Sequence, residues 1–379
     1  MRGRGLYRPQ DRVTFTAPTP VTIGAKPAIM APEAGKQAAR SSGRRRIWWR
    51  IAGIVLSVGL LAYILAQIDV AEFMAIVRGV PAQALLGAFL AYALLNYFRT
   101  LRFRTFMPPP HPTVAELTPI VLYHNLLTRV LPFKTGEISY VVLLNRHLKQ
   151  PLSEGVSSLL SARLFELALV MLGGAFGVLS VASQPSTSRW LTFALLIAVL
   201  IVYMIALYYS GSLLRLLARA WARIVAPRLM SRFPTLEKRV EEKLHVFAGQ
   251  FDRIHNPRLL LSACLLSTCT YSMSMLFDII LMRGLGLDAP LGVLVTIISI
   301  KMFLEAAPIA VSGFGVIEGS WTFGLVTLAG LDISTAASMA FFLHASQIVA
   351  AALLGGAGWF LLSRLKPQPG TPSEASIRR

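Results

Sequence analysis

Apolar residues gather in long runs along this chain, at about 47–68, 80–98, 114–131, 153–183, 190–210, 258–282, 290–309 and 334–363. Shorter and more polar apolar stretches lie at 135–148 and 316–330. Most runs approach or exceed the roughly 20 residues that an α-helix needs to cross a hydrocarbon core about 30 Å thick. The pattern predicts an all-α polytopic membrane protein of eight to ten hydrophobic segments. Trp48, Trp49 and Trp359 fall near the ends of the first and last runs, where amphipathic rings suit a membrane interface.

The polar segments between runs differ in their content of Lys and Arg. Residues 99–113 carry Arg99, Arg102 and Arg104, residues 145–150 carry Arg146 and Lys149, and 211–258 carries ten basic residues from Arg215 to Arg258. By contrast 69–79, 184–189, 283–289 and 330–333 hold one basic residue each or none. Because cytoplasmic loops are enriched in Lys and Arg, one arrangement places every basic segment inside. In it, 47–68, 80–98, 153–183, 190–210, 258–282 and 334–363 are six full spans, while 114–148 and 290–330 each enter and return to the same side. Re-entrant hairpins and pairs of full spans give the same parity. Both termini and the long basic loop are then cytoplasmic, with the chain in the inner (plasma) membrane.

Residues 1–46 are polar, rich in Pro, Gly and Arg, and end in Arg44-Arg45-Arg46, which predicts a disordered basic cytoplasmic arm. Met30 is a second candidate start, and the first run is expected to be an anchor because it lacks a small-residue cleavage site. The transmembrane domain is expected over 47–363, followed by a cytoplasmic tail at 364–379. Within the loop 211–257, Leu236, Val240, Leu244, Phe247, Phe251 and Ile254 recur at helical spacing. That amphipathic helix is expected either on the anionic inner surface or against another cytoplasmic protein.

Composition agrees with a membrane setting. The chain is 55% hydrophobic and only 15% charged, and its mean hydropathy is +0.60, which excludes an ordinary globular enzyme. A net charge of +19 would suggest nucleic acid in a soluble protein. Confined to segments between apolar runs, it fits the orientation rule instead, and no nucleic-acid partner is expected. Cys264 and Cys269 share one apolar run, and the six histidines never fall at HxxxH spacing, so neither a metal nor a cofactor is expected. No GxxxxGK[ST] run supports direct use of ATP.

Two stretches resemble one another at a constant offset. Glu137 matches Glu318, Ser139 matches Ser320, Tyr140 matches Trp321 and Ser153 matches Ser334, with Arg163 then opposite His344 and Glu166 opposite Gln347. A break precedes each unit, LPFKTGE with Pro132 and Gly136, and APIAVSGFGVIEG with Pro308, Gly313 and Gly315. Proline removes a backbone donor and glycine relaxes the backbone, so a helix can stop and turn there. The predicted topology makes the units, about 114–183 and 290–363, inverted copies, a plan in which broken helices meet near the midplane.

Charges inside apolar runs are rare, since each costs on the order of 3 kcal/mol near a helix centre. Here Arg129, Lys134, Glu137, Arg163, Glu166, Lys301, Glu305 and Glu318 lie in or beside such runs. Lys134 with Glu137, Arg163 with Glu166 and Lys301 with Glu305 are three or four apart, which puts opposite charges on one helix face. These pairs either neutralise one another or line a polar path. Glu137 and Glu318 follow the breaks, where a carboxylate also suits a helix start. Asp278 and Arg283 are expected to pair near the outer end of one span.

LLTRVLPFKTGEISYVVLL, SSLLSARLFELAL and PIAVSGFGVIEGSW resemble the lysylphosphatidylglycerol synthase transmembrane (flippase-like) family over about 47–363. The resemblance implies movement of charged phospholipids or polyprenyl-linked lipids between leaflets. It places Arg129, Pro132, Gly136, Glu137, Arg163, Gly313, Gly315 and Glu318 in the matching motifs. Members that aminoacylate lipids join this region to a soluble catalytic domain, and after Trp359 only a short tail remains here. Expected substrate contacts are Arg129, Lys134, Glu137, Arg163, Glu166, Lys301, Glu305, Glu318 and His344. Anionic membrane lipids are the expected partners, with a lipid-synthesis enzyme as a second. Two other readings stay open: a membrane-embedded lipid-modifying enzyme, for which no complete catalytic constellation is visible, and an accessory subunit for a lipid or glycosyl transferase.

Overall fold

A computed structural model describes residues 70–131, 135–181, 187–209, 256–306 and 314–364, with isolated positions at 59, 62, 63, 66, 211, 212, 215, 216 and 219. The arm 1–46, nearly all of 47–68 and of the loop 211–257, and the tail beyond Arg364 lie outside the described residues. So do Pro132, Lys134, Pro308 and Gly313.

The described residues are helical, with no strand among them. In chain order they form α1 (Val70–Gly79), α2 (Ala82–Phe106), α3 (Val114–Val130), α4 (Thr135–Leu148) and α5 (Leu152–Val181), then α6 (Thr187–Tyr208), α7 (Pro257–Gly284), α8 (Leu291–Ala306), α9 (Val316–Ala329) and α10 (Ile333–Arg364). Four helices are long and apolar enough to cross a membrane: α2, α5 through Gly177, α7 and α10. These four coincide with four of the six expected spans, and α6 covers a fifth with 22 residues.

Local chemistry sets the ends. Thr113 accepts the N–H of Glu116 on its hydroxyl, and Glu116 accepts the N–H of Thr113 in return, so α3 starts on a reciprocal cap. Asn256 accepts the N–H of Arg258 ahead of Pro257, which opens α7. Gly330, at φ 71°, closes α9, and the N–H of Leu331 reaches back to the carbonyl of Leu325.

At the edges of the two expected breaks, Leu131 ends α3 in an extended conformation and Gly315 opens α9 at φ 81°. α3 and α4 have 17 and 14 residues, and α8 and α9 have 16 and 14, each short of a crossing length. Each pair folds back on itself. In the first, Gly136 packs on Leu127 and Thr128 while Ser139 approaches His124. In the second, Gly324 packs on Ile297. Gly136 is needed for close approach: a Cβ there would overlap the backbone of Leu127 and Thr128. Gly136→Ala is therefore expected to cost about 1–3 kcal/mol of stability, read as a lower thermal unfolding midpoint in detergent. Gly315 is needed for its backbone, at φ 81°.

Lengths and packing partners recur along the chain. α4 and α9 start 181 residues apart, at 135 and 316, and end 181 apart, at 148 and 329. α3 packs on α10, as α8 packs on α5. A Cβ on Gly358 of α10 would sit 2.8 Å from the Pro119 carbonyl oxygen of α3, and one on Gly177 of α5 2.8 Å from Thr296 Cα of α8. Small residues thus let both long helices approach their hairpins closely. α2 and α7 pack together between these groups, with Tyr92 on Phe277 and Ala84 on Gly284.

One boundary differs from expectation. α2 does not stop at 98 but continues to Phe106, carrying Arg99 and Arg102 as helical residues. Arg102 is 2% exposed, so its segment is core rather than a solvated loop.

Candidate functional site

Eight helices, α2–α5 and α7–α10, contribute side chains to a cavity of about 420 Å³. Its wall carries five cations, Arg99, Arg102, Arg129, Arg163 and Lys301, against three carboxylates, Glu137, Glu166 and Glu305; with Asp278, which pairs with Lys301, the site keeps an excess of one positive charge. The position of each charge follows from helix geometry. Arg99 and Arg102 share a face of α2, Arg163 and Glu166 a face of α5, and Lys301 and Glu305 a face of α8.

Two ion networks result. In the first, Arg163 reaches Glu137 across the α4–α5 contact at 3.1 Å and Glu166 at 3.0 Å, while Arg102 approaches the same Glu166 oxygen at 3.7 Å. In the second, Glu305 joins Arg129 of α3, at 2.8 Å, to Lys301, at 3.4 Å. Lys301 also meets Asp278 of α7 at 3.4 Å, both side chains being 1% exposed. Arg99 donates to the side-chain oxygen Oδ1 of Asn125 at 2.7 Å, and Nδ2 of Asn125 donates to the Tyr92 hydroxyl at 2.6 Å.

The networks leave donors unused. Nε and Nη1 of Arg102 are buried without a hydrogen-bond partner among the described residues. A guanidinium in a dry wall with two unmade N–H bonds is costly. The lining also carries leucines: Leu131, Leu160, Leu164, Leu167 and Leu304. Leu160 is 45% and Leu304 37% exposed.

Of the residues singled out from sequence, Arg129, Glu137, Arg163, Glu166, Lys301 and Glu305 line the cavity together. Glu318 and His344 do not. They form a pair of their own at 2.7 Å, 0% and 1% exposed, with Glu318 also accepting the N–H of Gly315 at 2.8 Å. Glu137 meets Arg163, while its expected partner Lys134 lies outside the described residues. Asp278 does not pair with Arg283, which instead meets Asp288 at 2.8 Å. Asp278 faces inward on α7 and Arg283, more than a turn further, faces the helix end.

Sequence reasoning missed Arg99, Arg102 and Asp278 as parts of this site. A usable signal existed: Tyr92, Leu95, Arg99, Arg102 and Phe106 keep three- and four-residue steps past the end of the apolar run.

The model of the lysylphosphatidylglycerol synthase TM region matches residues 50–355, most of the chain. The chain belongs to this family. The match takes in every described helix and both breaks, ending within α10. Membership together with the four spanning helices makes the chain a multi-pass membrane protein with a lipid-related function. Among curated proteins and solved structures, none matches it.

Proposed function

We propose that the chain carries a lipid with an anionic head group between the two leaflets of the inner membrane, acting as a carrier rather than an enzyme. The observation that carries this reading is the cavity whose lining sets five cations against fewer carboxylates, with leucines, two of them exposed, in the same wall. A phosphate suits the cations, since guanidinium groups match its oxygens. Acyl chains suit the leucines, where they remain in hydrocarbon while the head group is inside.

The proposed motion uses two inverted units, one from each half. Equal spacing of α4 and α9, the exchanged packing of α3 on α10 and α8 on α5, and the paired glycines support that repeat. Both hairpins would be re-entrant, given their short helices, and the basic segments would lie in the cytoplasm with both termini. Glu137, Glu166 and Glu305 hold the arginines and lysine while the cavity is empty and release them to the phosphate.

Purified protein in liposomes, with a fluorescent anionic phospholipid accessible to a quencher in one leaflet, tests the proposal. The wild type is expected to move the label across. Arg163→Ala is expected to slow it about tenfold, as loss of roughly 1.4 kcal/mol of binding would. A wild-type rate equal to protein-free liposomes refutes transport, and release of a chemically altered lipid would favour an enzyme instead.

A further inference from the structure

Behind the cavity wall lies a second buried pair that the head-group site does not use. Glu318 on α9 and His344 on α10 meet at 2.7 Å, and the other Glu318 oxygen is occupied by the N–H of Gly315. Since a carboxylate only accepts, Nδ1 of His344 carries the proton between them. Nε2 of His344 is buried and has no hydrogen-bond partner among the described residues. One turn along α10, Gln347 is 3% exposed, lines the cavity, and has an unpartnered Oε1. Ile317, next to Glu318, lines the cavity from α9. The pair is therefore one side chain removed from the space the head group would occupy.

Its counterpart in the other unit is Glu137 with Arg163. Both pairs span 26 residues, 137 to 163 and 318 to 344, and both join the second helix of a hairpin to the long helix after it. The chemistry differs. An arginine never loses its proton in a protein, whereas histidine is the side chain suited to exchanging one. One unit thus holds a permanent ion pair and the other a titratable one.

Among the described residues, most charged groups on the other helices packed against α10 are engaged elsewhere, Arg104 of α2 with the Pro112 carbonyl among them. On α3, Arg129 meets Glu305, Glu116 meets Thr113, and His124 meets Gly136 and Ser139. On α7, Asp278 meets Lys301 and Arg283 meets Asp288. On α2, Arg99 meets Asn125 and Arg102 meets Glu166, and Arg78 of α1 is exposed. Glu318 is the charge that His344 touches.

Resting on the transport reading, we propose that the Glu318–His344 pair is a proton-binding site whose loading and unloading drives lipid movement. The proton adds to the Nε2 lone pair from one side of the membrane and leaves to water on the other, so nothing is oxidised or reduced. With His344 neutral, the buried pair carries one negative charge. With His344 protonated it is neutral overall. A buried net charge costs more than an ion pair of zero net charge, so the two forms favour different placements of α9 against α10. That difference is what coupling requires.

The test imposes a pH difference of one unit across liposomes holding the full chain, with membrane potential clamped to zero. It reads the steady-state leaflet ratio of a fluorescent anionic phospholipid. One proton per lipid predicts a ratio of about tenfold for the wild type. His344→Gln, and His344→Arg, which restores the permanent pair of the other unit, are expected to bring it to one while label still crosses. A wild type that moves lipid to equal leaflet occupancy overturns proton coupling and leaves transport standing; one that moves no lipid overturns both. A pH dye trapped in the lumen gives a check free of variants: lipid arrival without a change in lumenal pH refutes the proposal.

Discussion

Arg102→Met is expected to slow lipid movement about 100-fold while leaving the protein folded. Arg102 lines the cavity and is 2% exposed. A hydrogen bond to a charged group contributes about 1.5–3 kcal/mol. One made from Arg102 to a phosphate, at the upper end of that range, is a factor of about 100. Methionine keeps much of the apolar stem, and Glu166 retains Arg163 at 3.0 Å, so no carboxylate is stranded. Arg102→Lys keeps the charge without the fork and is expected to recover only part of the rate. Initial rates in the liposome assay, beside unfolding midpoints in detergent, separate loss of binding from loss of fold.

Lys301→Met is expected to destabilise the protein by about 3–5 kcal/mol, the cost of stranding a buried charge. Asp278 is 1% exposed, its Oδ1 has no partner, and Lys301 at 3.4 Å is the cation its carboxylate meets. The reverse change, Asp278→Asn, is expected to cost less, because Lys301 keeps Glu305 at 3.4 Å. Combining the two should restore most of the loss, since both buried charges then disappear together. Thermal unfolding of the two single variants and the double variant measures this coupling. Equal losses in both singles, adding up in the double, would show that the pair is not the source.

The hairpins and the chemistry of the cavity were legible before any coordinates, for reasons that can be named. Helix breaks are written locally, by proline, glycine and a carboxylate at 132–137 and 308–318. Arg163 with Glu166 and Lys301 with Glu305 were legible because helix geometry converts three- and four-residue spacing into contact. Partners distant in sequence were not: Arg129 and Glu305 are 176 residues apart, and only packing of the two hairpins brings them together. Arg102 was misplaced for a different reason. Orientation rules assign an arginine just past an apolar run to the cytoplasmic loop, but α2 continues past the run to Phe106 and keeps Arg102, about one turn beyond it, in packed protein. The pairing of Asp278 with Arg283 failed likewise, because nearness in sequence says nothing of which face each occupies.

The most direct test of the head-group site is photo-crosslinking in liposomes with an anionic phospholipid that carries a photoreactive group on its head. Adducts mapped by mass spectrometry are expected on peptides holding Arg99–Phe103 and Leu160–Leu167, and are expected to fall away in Arg102→Met. Adducts confined to helix surfaces outside the cavity, or unchanged when Arg102 is replaced, would contradict the assignment of this cavity to the lipid.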